Sequence, residues 1–386
     1  MKIIQIGSFP INSSSIQGGV EASVYGLALE QVKSNEVVVI DFPRSEVKED
    51  FIEKFDNLDA YRFKAITGTN YTSLLRIPKI VCLIRSLKVD ICHIHTTSLF
   101  SLVLYVFLRL IGIKAIVTIH GLAHKEKQNV WRKKKSTRNC LKYLSHSFTE
   151  FLFLSICPQF IVDTQYVADA IQQYKKEGKI LRCPICTVMP QGINNDFFLL
   201  KREVQRGQLL AVGSISKRKG HLQLIEAMVE IVKEVPTVKL NILGVLSDTD
   251  YYSQMQRSIK EKALEDHVII YANIAYDEML KFYTTAELFV LHTEEESQGI
   301  VFCEAMAVGL PIVATNVGGV PWVVSNNVNG FLSEFGSIDL FAENVTKLLK
   351  NKKLQKDFEN KNKMKSQNYN WNSISKKIMA IYESII

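Results

Sequence analysis

Glu296 and Glu304 bracket a glycine, Gly299, and three consecutive cations, Lys217-Arg218-Lys219, stand earlier in the chain. An ionised carboxylate accepts hydrogen bonds from hydroxyls, and lysine and arginine neutralise phosphate. Together these groups suit a ligand that carries both, a diphosphate attached to polyols. His120 closes an apolar run and is followed by Gly121. An imidazole at such a place can hydrogen-bond a sugar hydroxyl or a phosphate.

These side chains need elements to hold them. An apolar run from Leu288 ends in Glu294-Glu295-Glu296, followed by the turn Ser297-Gln298-Gly299. Residues Ile300 to Val308 have helical character, Gly309-Leu310-Pro311 stops them, and Ile312 to Ala314 is apolar again before Gly318-Gly319. The pattern predicts strand, loop, helix, strand, with the loop at the carboxyl end of a strand, where open α/β sheets bind ligands. A helix starting near Gly299 turns its first N–H groups, those of Gly299, Ile300 and Val301, and its positive dipole end toward the loop, a place for phosphate. Residues Leu209 to Val212 read as another strand, running through the cations into an amphipathic helix from His221. If the two strands are parallel, the cations meet the helix start.

The first half alternates strands and helices. Lys2 to Gly7 reads as a short buried strand, and a Ser- and Asn-rich loop leads to Gln17-Gly18-Gly19-Val20. From Glu21 to Val32 apolar residues recur at helical spacing, and Val37 to Ile40 is a strand. Gly18 and Gly19 thus sit between a strand and a helix start, like a phosphate-binding turn, without the GxGxxG spacing of dinucleotide folds. Residues 44–75 show poor periodicity. Ile77 to Leu87 reads as a helix, and Val89 to His95, Ala115 to Gly121 and Phe160 to Thr164 as strands.

The glutamate pair with glycine between, followed by Ala305-Met306-Ala307 and Gly309-Leu310-Pro311, resembles the donor-site signature of retaining family-4 glycosyltransferases. The resemblance implies a GT-B fold, two Rossmann-like domains facing across a cleft. It implies a donor diphosphate on Arg218 and Lys219, Glu296 on hydroxyls of the transferred sugar, Glu304 on the ribose, and Gly18 and Gly19 against the diphosphate. His120 would lie between donor and acceptor. Met189-Pro190-Gln191-Gly192-Ile193-Asn194 is similar to the family's closing turn of the first half, with Gln191 replacing the usual Asn. Ser214 stands where the family often has an arginine, so the resemblance does not carry over a third cationic contact there. In the family, a terminal helix like the amphipathic 371–386 crosses back onto the first domain; its Trp371 and Tyr382 read as packing residues.

Composition agrees with two folded domains. The chain has 386 residues, 22% charged and 47% hydrophobic, enough for two cores. We expect an acceptor-binding domain over 1–200 with the helix 371–386, and a donor-binding domain over 201–370, with a hinge at 201–208. Residues 1–200 carry 25 Lys and Arg against 17 Asp and Glu, while the remainder carries 22 of each. The surplus includes Trp131 to Arg138, close after the apolar window Ser98 to Ile113. That window is shorter than the roughly 20 residues that span a bilayer. Basic residues beside an apolar surface suit anionic lipid, whereas no motif for nucleic acid accompanies them. Seven scattered cysteines fit a reducing cytoplasm; Cys183 and Cys186 read as buried thiols rather than half a zinc site. Asp248-Thr249-Asp250 reads as a loop in the wrong domain for a metal.

The expectation is therefore a retaining, metal-independent glycosyltransferase without a cofactor. Its donor is a nucleotide-diphosphate sugar, UDP- or GDP-linked, carrying a hexose or a relative. Its acceptor is a lipid-linked saccharide or oligosaccharide of a capsule, exopolysaccharide or lipopolysaccharide, and its place the cytoplasm, peripheral at the inner face of the cell membrane. An NAD-dependent dehydrogenase would need the missing GxGxxG. A nucleotide-sugar epimerase would act on the donor alone, and a non-catalytic binding protein would tolerate loss of Glu296.

Overall fold

The computed structural model describes residues 1–11, 18–44, 47–55, 57–65, 72–133 and 135–386. Gln17 and Lys134 lie outside the described residues, as does the side chain of Lys133. The chain divides into two compact units, Met1–Gln191 with Trp371–Ile386, and Gly192–Asn370.

The first unit is built on eight strands: β1 (Lys2–Gly7), β2 (Glu36–Asp41), β3 (Phe51–Phe55), β4 (Leu58–Arg62), β5 (Ile91–His95), β6 (Ala115–Ile119), β7 (Gln159–Val162) and β8 (Ile185–Val188). Their order is β3-β4-β2-β1-β5-β6-β7-β8, parallel throughout except for the β3–β4 hairpin. The central strands are near-continuous Ile and Val, as strands covered on both faces must be. One face packs Ile4, Ile6, Ile94 and Val117 under helices that include Leu99–Leu110 and Thr137–Ile156. The other packs Ile3, Val39, Ile116 and Ile161 against the helices Gly19–Gln31 and Trp371–Ile385. These two helices touch so closely that a Cβ on Gly26 would lie 2.2 Å from Trp371 Nε1. Only glycine fits there.

The β3–β4 hairpin lies in the stretch without periodicity. β3 is largely exposed, so it carries no alternating apolar signal. What anchors the hairpin is Arg62, which reaches Asp41 and Glu53 at 2.7 Å each and the Phe9 carbonyl at 2.9 Å. The Ser98–Ile113 window forms the helix Leu99–Leu110, capped by the Ser98 hydroxyl on the Ser101 N–H. Among the described residues no helix is long and apolar enough to cross a membrane.

The second unit has six parallel strands: β9 (Gln208–Val212), β10 (Lys239–Gly244), β11 (Val268–Ala272), β12 (Leu288–Leu291), β13 (Ile312–Thr315) and β14 (Gly330–Ser333). Their order is β11-β10-β9-β12-β13-β14. Chain direction across the sheet reverses between β9 and β12, and a crevice at the carboxyl ends of such a pair is where doubly wound sheets bind ligands.

Three expectations need correction. Residues 192–207 group with the second unit rather than serving as the end of the first and a hinge. Arg202 donates to the carbonyls of Gly309, Ala286 and Glu287, and the Glu203 N–H to Thr284. Asp248-Thr249-Asp250 is a helix start and not a loop: Asp248 caps Thr249–Glu261 by accepting from the Tyr251 N–H at 2.9 Å. Cys183 is exposed and Cys186 half-buried, because β8 is the edge strand and the chain before it runs over the surface.

Candidate functional site

At the switch point of the second unit, two loops are pressed together. After β9 the cations form a short 3-10 turn, Lys217–Lys219, ending at Gly220 with φ +64°. A Cβ on Gly220 would lie 1.8 Å from the His292 carbonyl, just past β12. Only a glycine allows both that conformation and that approach. The loops are then stitched by hydrogen bonds. The Glu294 N–H donates to the Arg218 carbonyl at 2.8 Å, and Arg218 Nη1 donates to the Glu295 carbonyl at 2.9 Å.

Glu296 is the convergence point. Its carboxylate is paired with the Lys219 ammonium, and the Arg218 guanidinium stands 3.7 Å away. Lys219 and Glu296 are under a tenth exposed, whereas Arg218 is 44% exposed and open to a ligand. A third loop fixes the backbone: Gly319 N–H donates to the Glu296 carbonyl at 2.8 Å. A Cβ on Gly318, at φ +52°, would fall 2.1 Å from the same oxygen.

The helix Ile300–Val308 begins directly after, with Gly299 at φ +75° as its N-cap and Gly309 at φ +88° as its C-cap. The N–H groups of its first turn have no intrahelical acceptor, which leaves Ile300 and Val301 suited to an anion. Glu304 lies on this helix and accepts from the Tyr283 hydroxyl at 2.8 Å. Burial pushes its pKa up to about 7, opposed by the Tyr283 hydrogen bond and the charge of Lys219. Arg218, Lys219, Glu296, Gly299, Ile300, Val301 and Glu304 thus belong to one unit, on two adjoining loops and the helix that follows the second.

Gly18, Gly19 and His120 belong to the first unit. Gly18 precedes the helix Gly19–Gln31, its carbonyl accepting from the Ala22 N–H at 3.0 Å, and a Cβ there would meet none of the described residues within 4 Å. His120 directly follows β6, in a row with His95 at the end of β5 and Asp163 after β7. Its Nε2 is 3.0 Å from His95 Nδ1, and its Nδ1 is 3.4 Å from Asp163 Oδ1. The Gln191 amide donates to the other Asp163 oxygen. Behind His95, Gln5 and Tyr382 continue the polar chain through an otherwise apolar layer. Tyr382, read from sequence as packing, is a hydrogen-bonding residue too. His93 and His95 are held neutral, His93 down to about 3, because burial penalises their charged forms. Among the described residues no group of three His, Cys, Asp or Glu is placed to hold a metal ion.

Sequence reasoning missed Tyr283, Gly220, Asp163 and the Gln5–His95 pair. Asp163 carried a usable signal, since it ends a strand as His120 does. The others did not, because their roles depend on which strands become neighbours.

Comparison with known proteins identifies the family. Residues 17–194 match the family described as Glycosyltransferase Family 4, and residues 193–365 match Glycosyl transferases group 1. The chain resembles N-acetyl-alpha-D-glucosaminyl L-malate synthase of Bacillus anthracis, 25% identical over 307 residues that cover 77% of this chain and 74% of that protein. Among solved structures, sucrose-phosphate synthase from Thermosynechococcus elongatus superposes with TM-score 0.80 at 18% identity, over 100% of this chain and 99% of the other. Anabaena HepE in complex with UDP-glucose gives TM-score 0.76 at 17% identity, over 100% of both chains. Both likenesses establish the fold. The two matches together span most of the sequence, and the chain belongs to glycosyltransferase family 4, with the GT-B fold.

Proposed function

We propose that this glycosyltransferase moves a hexose or related sugar from a nucleotide-diphosphate sugar, with retention and without a metal ion. The observation that carries the reading is the meeting of Lys219, Arg218 and the start of the helix Ile300–Val308 around Glu296. When the bond from the anomeric carbon to the diphosphate breaks, the leaving oxygen gains charge, and preorganised cations and N–H groups lower that barrier. The acceptor oxygen bonds to the anomeric carbon on the same face, and its proton passes to the departing diphosphate. Glu296 holds hydroxyls of the transferred sugar, and Glu304 the ribose. Gly18 and Gly19 approach the diphosphate, and His120 binds a hydroxyl of a reacting sugar. The complex of Anabaena HepE with UDP-glucose supports UDP as the carrier.

The acceptor in this reading is a lipid-linked saccharide of a surface polysaccharide, met at an anionic membrane on the cytoplasmic side. Support comes from the helices Ala123–Lys133 and Thr137–Ile156, joined by Trp131 stacked on Tyr143 at 5.5 Å. They expose Val130, Leu141, Leu144 and Phe148 beside exposed Arg132, Lys135, Arg138 and Lys142. A transfer assay with UDP-sugars tests the core of the proposal. Glu296→Ala loses on the order of 100-fold or more in kcat, and near-normal turnover in a folded variant refutes the role.

A further inference from the structure

His120 has both ring nitrogens turned toward protein groups, and the orientation of the Gln5 amide sets the arrangement of protons in the chain of hydrogen bonds behind it. Gln5 donates both amide hydrogens, to Gln31 Oε1 at 2.6 Å and to the Tyr382 hydroxyl at 3.1 Å. Tyr382 in turn donates to His93 Nδ1 at 2.6 Å. The only Gln5 atom left for His95 is Oε1, 2.7 Å from His95 Nε2, and a carbonyl oxygen can only accept. His95 Nε2 therefore carries the hydrogen. A neutral His95 then has a bare Nδ1, and the 3.0 Å contact requires His120 Nε2 to be the donor.

The consequence falls on the other side of the ring. On the neutral ring His120 Nδ1 is left as an acceptor, 3.4 Å from Asp163 Oδ1, and among the described residues neither atom has a hydrogen-bond partner. Both side chains are buried, 4% and 1% exposed. Two facing acceptors leave a place for a group that donates, such as a hydroxyl. Gln191 holds the second Asp163 oxygen and so fixes which one faces the ring. A cavity of about 10 Å³ lies against His120, Asp163 and Gln191, the volume that one water-sized oxygen needs.

We propose that Gln5, acting through His95, is a positioning residue that locks His120 as the Nε2–H tautomer. His120 Nδ1 and Asp163 Oδ1 then form a paired acceptor for a sugar hydroxyl. The inference rests on the proposed role of His120 in transfer, but its first test does not need activity. The C-terminal helix takes part because Tyr382 accepts from the Gln5 amide and donates to His93. Reversing that amide reverses every donor as far as His120.

Nitrogen-15 NMR of histidine-labelled protein, with His120 assigned by His120→Asn, reads the tautomer directly. The expected result is a bare Nδ1 and a protonated Nε2 on neutral His120; a protonated Nδ1 on the neutral ring overturns the proposal, whether or not the protein transfers sugar. Gln5→Met removes the acceptor, so the population shifts toward Nδ1–H and kcat falls on the order of 10-fold, the size of one lost hydrogen bond, with KM for the nucleotide sugar unchanged. Gln5→Glu keeps an acceptor facing His95 and restores both tautomer and kcat. An unaltered tautomer in folded Gln5→Met, or equal losses in the two variants, removes Gln5 from the role. Should Gln5→Met not fold, Tyr382→Phe applies the same comparison, since it frees the amide while keeping its carbonyl. The wild-type spectrum decides in either case. If the tautomer is as expected and His120→Asn transfers normally, the reading of His120 fails while the lock stands.

Discussion

The ammonium of Lys219 rests on the carboxylate of Glu296, and each side chain is under a tenth exposed. Removing one partner of a buried pair leaves a charge without compensation, at a cost of about 3 kcal/mol or more. Lys219→Met should therefore lower stability by that order, read by urea unfolding. Lys219→Met with Glu296→Gln should recover most of it, yet show no transfer. A double variant as unstable as the single one contradicts the pairing.

Arg218 differs from Lys219 in being open to solvent. Its loss should barely change the melting temperature, while nucleotide-sugar affinity falls by about 2 kcal/mol, the size of a charge-assisted contact. Calorimetric titration of Arg218→Ala with a UDP-sugar measures this. Unchanged affinity removes the residue from the site.

Glu304 carries a pKa raised to about 7 by burial, above its ordinary 4.5. Its ionised form is the better acceptor for ribose hydroxyls. Affinity for the nucleotide should therefore strengthen as pH rises through about 7, and lose that dependence in Glu304→Gln. For stability the sign is opposite. Between the ordinary value and about 7 the unfolded chain ionises first, so this group's contribution declines as pH rises through that window. Titrations across the window that stay flat in the wild type contradict the assignment.

His221 is buried, among the described residues neither ring nitrogen has a hydrogen-bond partner, and burial holds its pKa down to about 3. The unfolded chain takes up a proton below 6.5 that the folded chain refuses, so stability falls as pH drops from there toward 3. The slope is about 1 kcal/mol per pH unit for this group. His221→Leu should flatten the acid side of the melting curve by that amount, measured by calorimetry. A slope identical to wild type refutes the burial effect.

For the membrane reading, Arg132→Gln, Lys135→Gln and Arg138→Gln together should reduce sedimentation with anionic liposomes, at about 1 kcal/mol per charge. Leu144→Ser with Phe148→Ser should do the same on vesicles of any charge. Binding unmoved by either set excludes this surface.

Much of the second unit was legible in advance, because its signals are local. The acids after Leu291, the glycine at 299 and the stop at Gly309 each fix a strand end or a helix end by their own chemistry. The meeting of the cations with Glu296 followed as soon as β9 and β12 were parallel neighbours. What was not legible depends on distant partners. Arg62 looks like a surface arginine until Asp41 and Glu53 arrive beside it. Tyr382 looks like packing until Gln5 and His93, far away in sequence, are found against it. Gly220 and Gly318 are conspicuous only once the carbonyls they must clear are known.

The most direct measurement is a crystal structure with UDP bound. The diphosphate should lie within hydrogen-bond distance of the Arg218 guanidinium and of the Ile300 and Val301 N–H groups, with the ribose hydroxyls on Glu304. A nucleotide seated elsewhere, with Arg218 still turned onto the Glu295 carbonyl, would contradict the site.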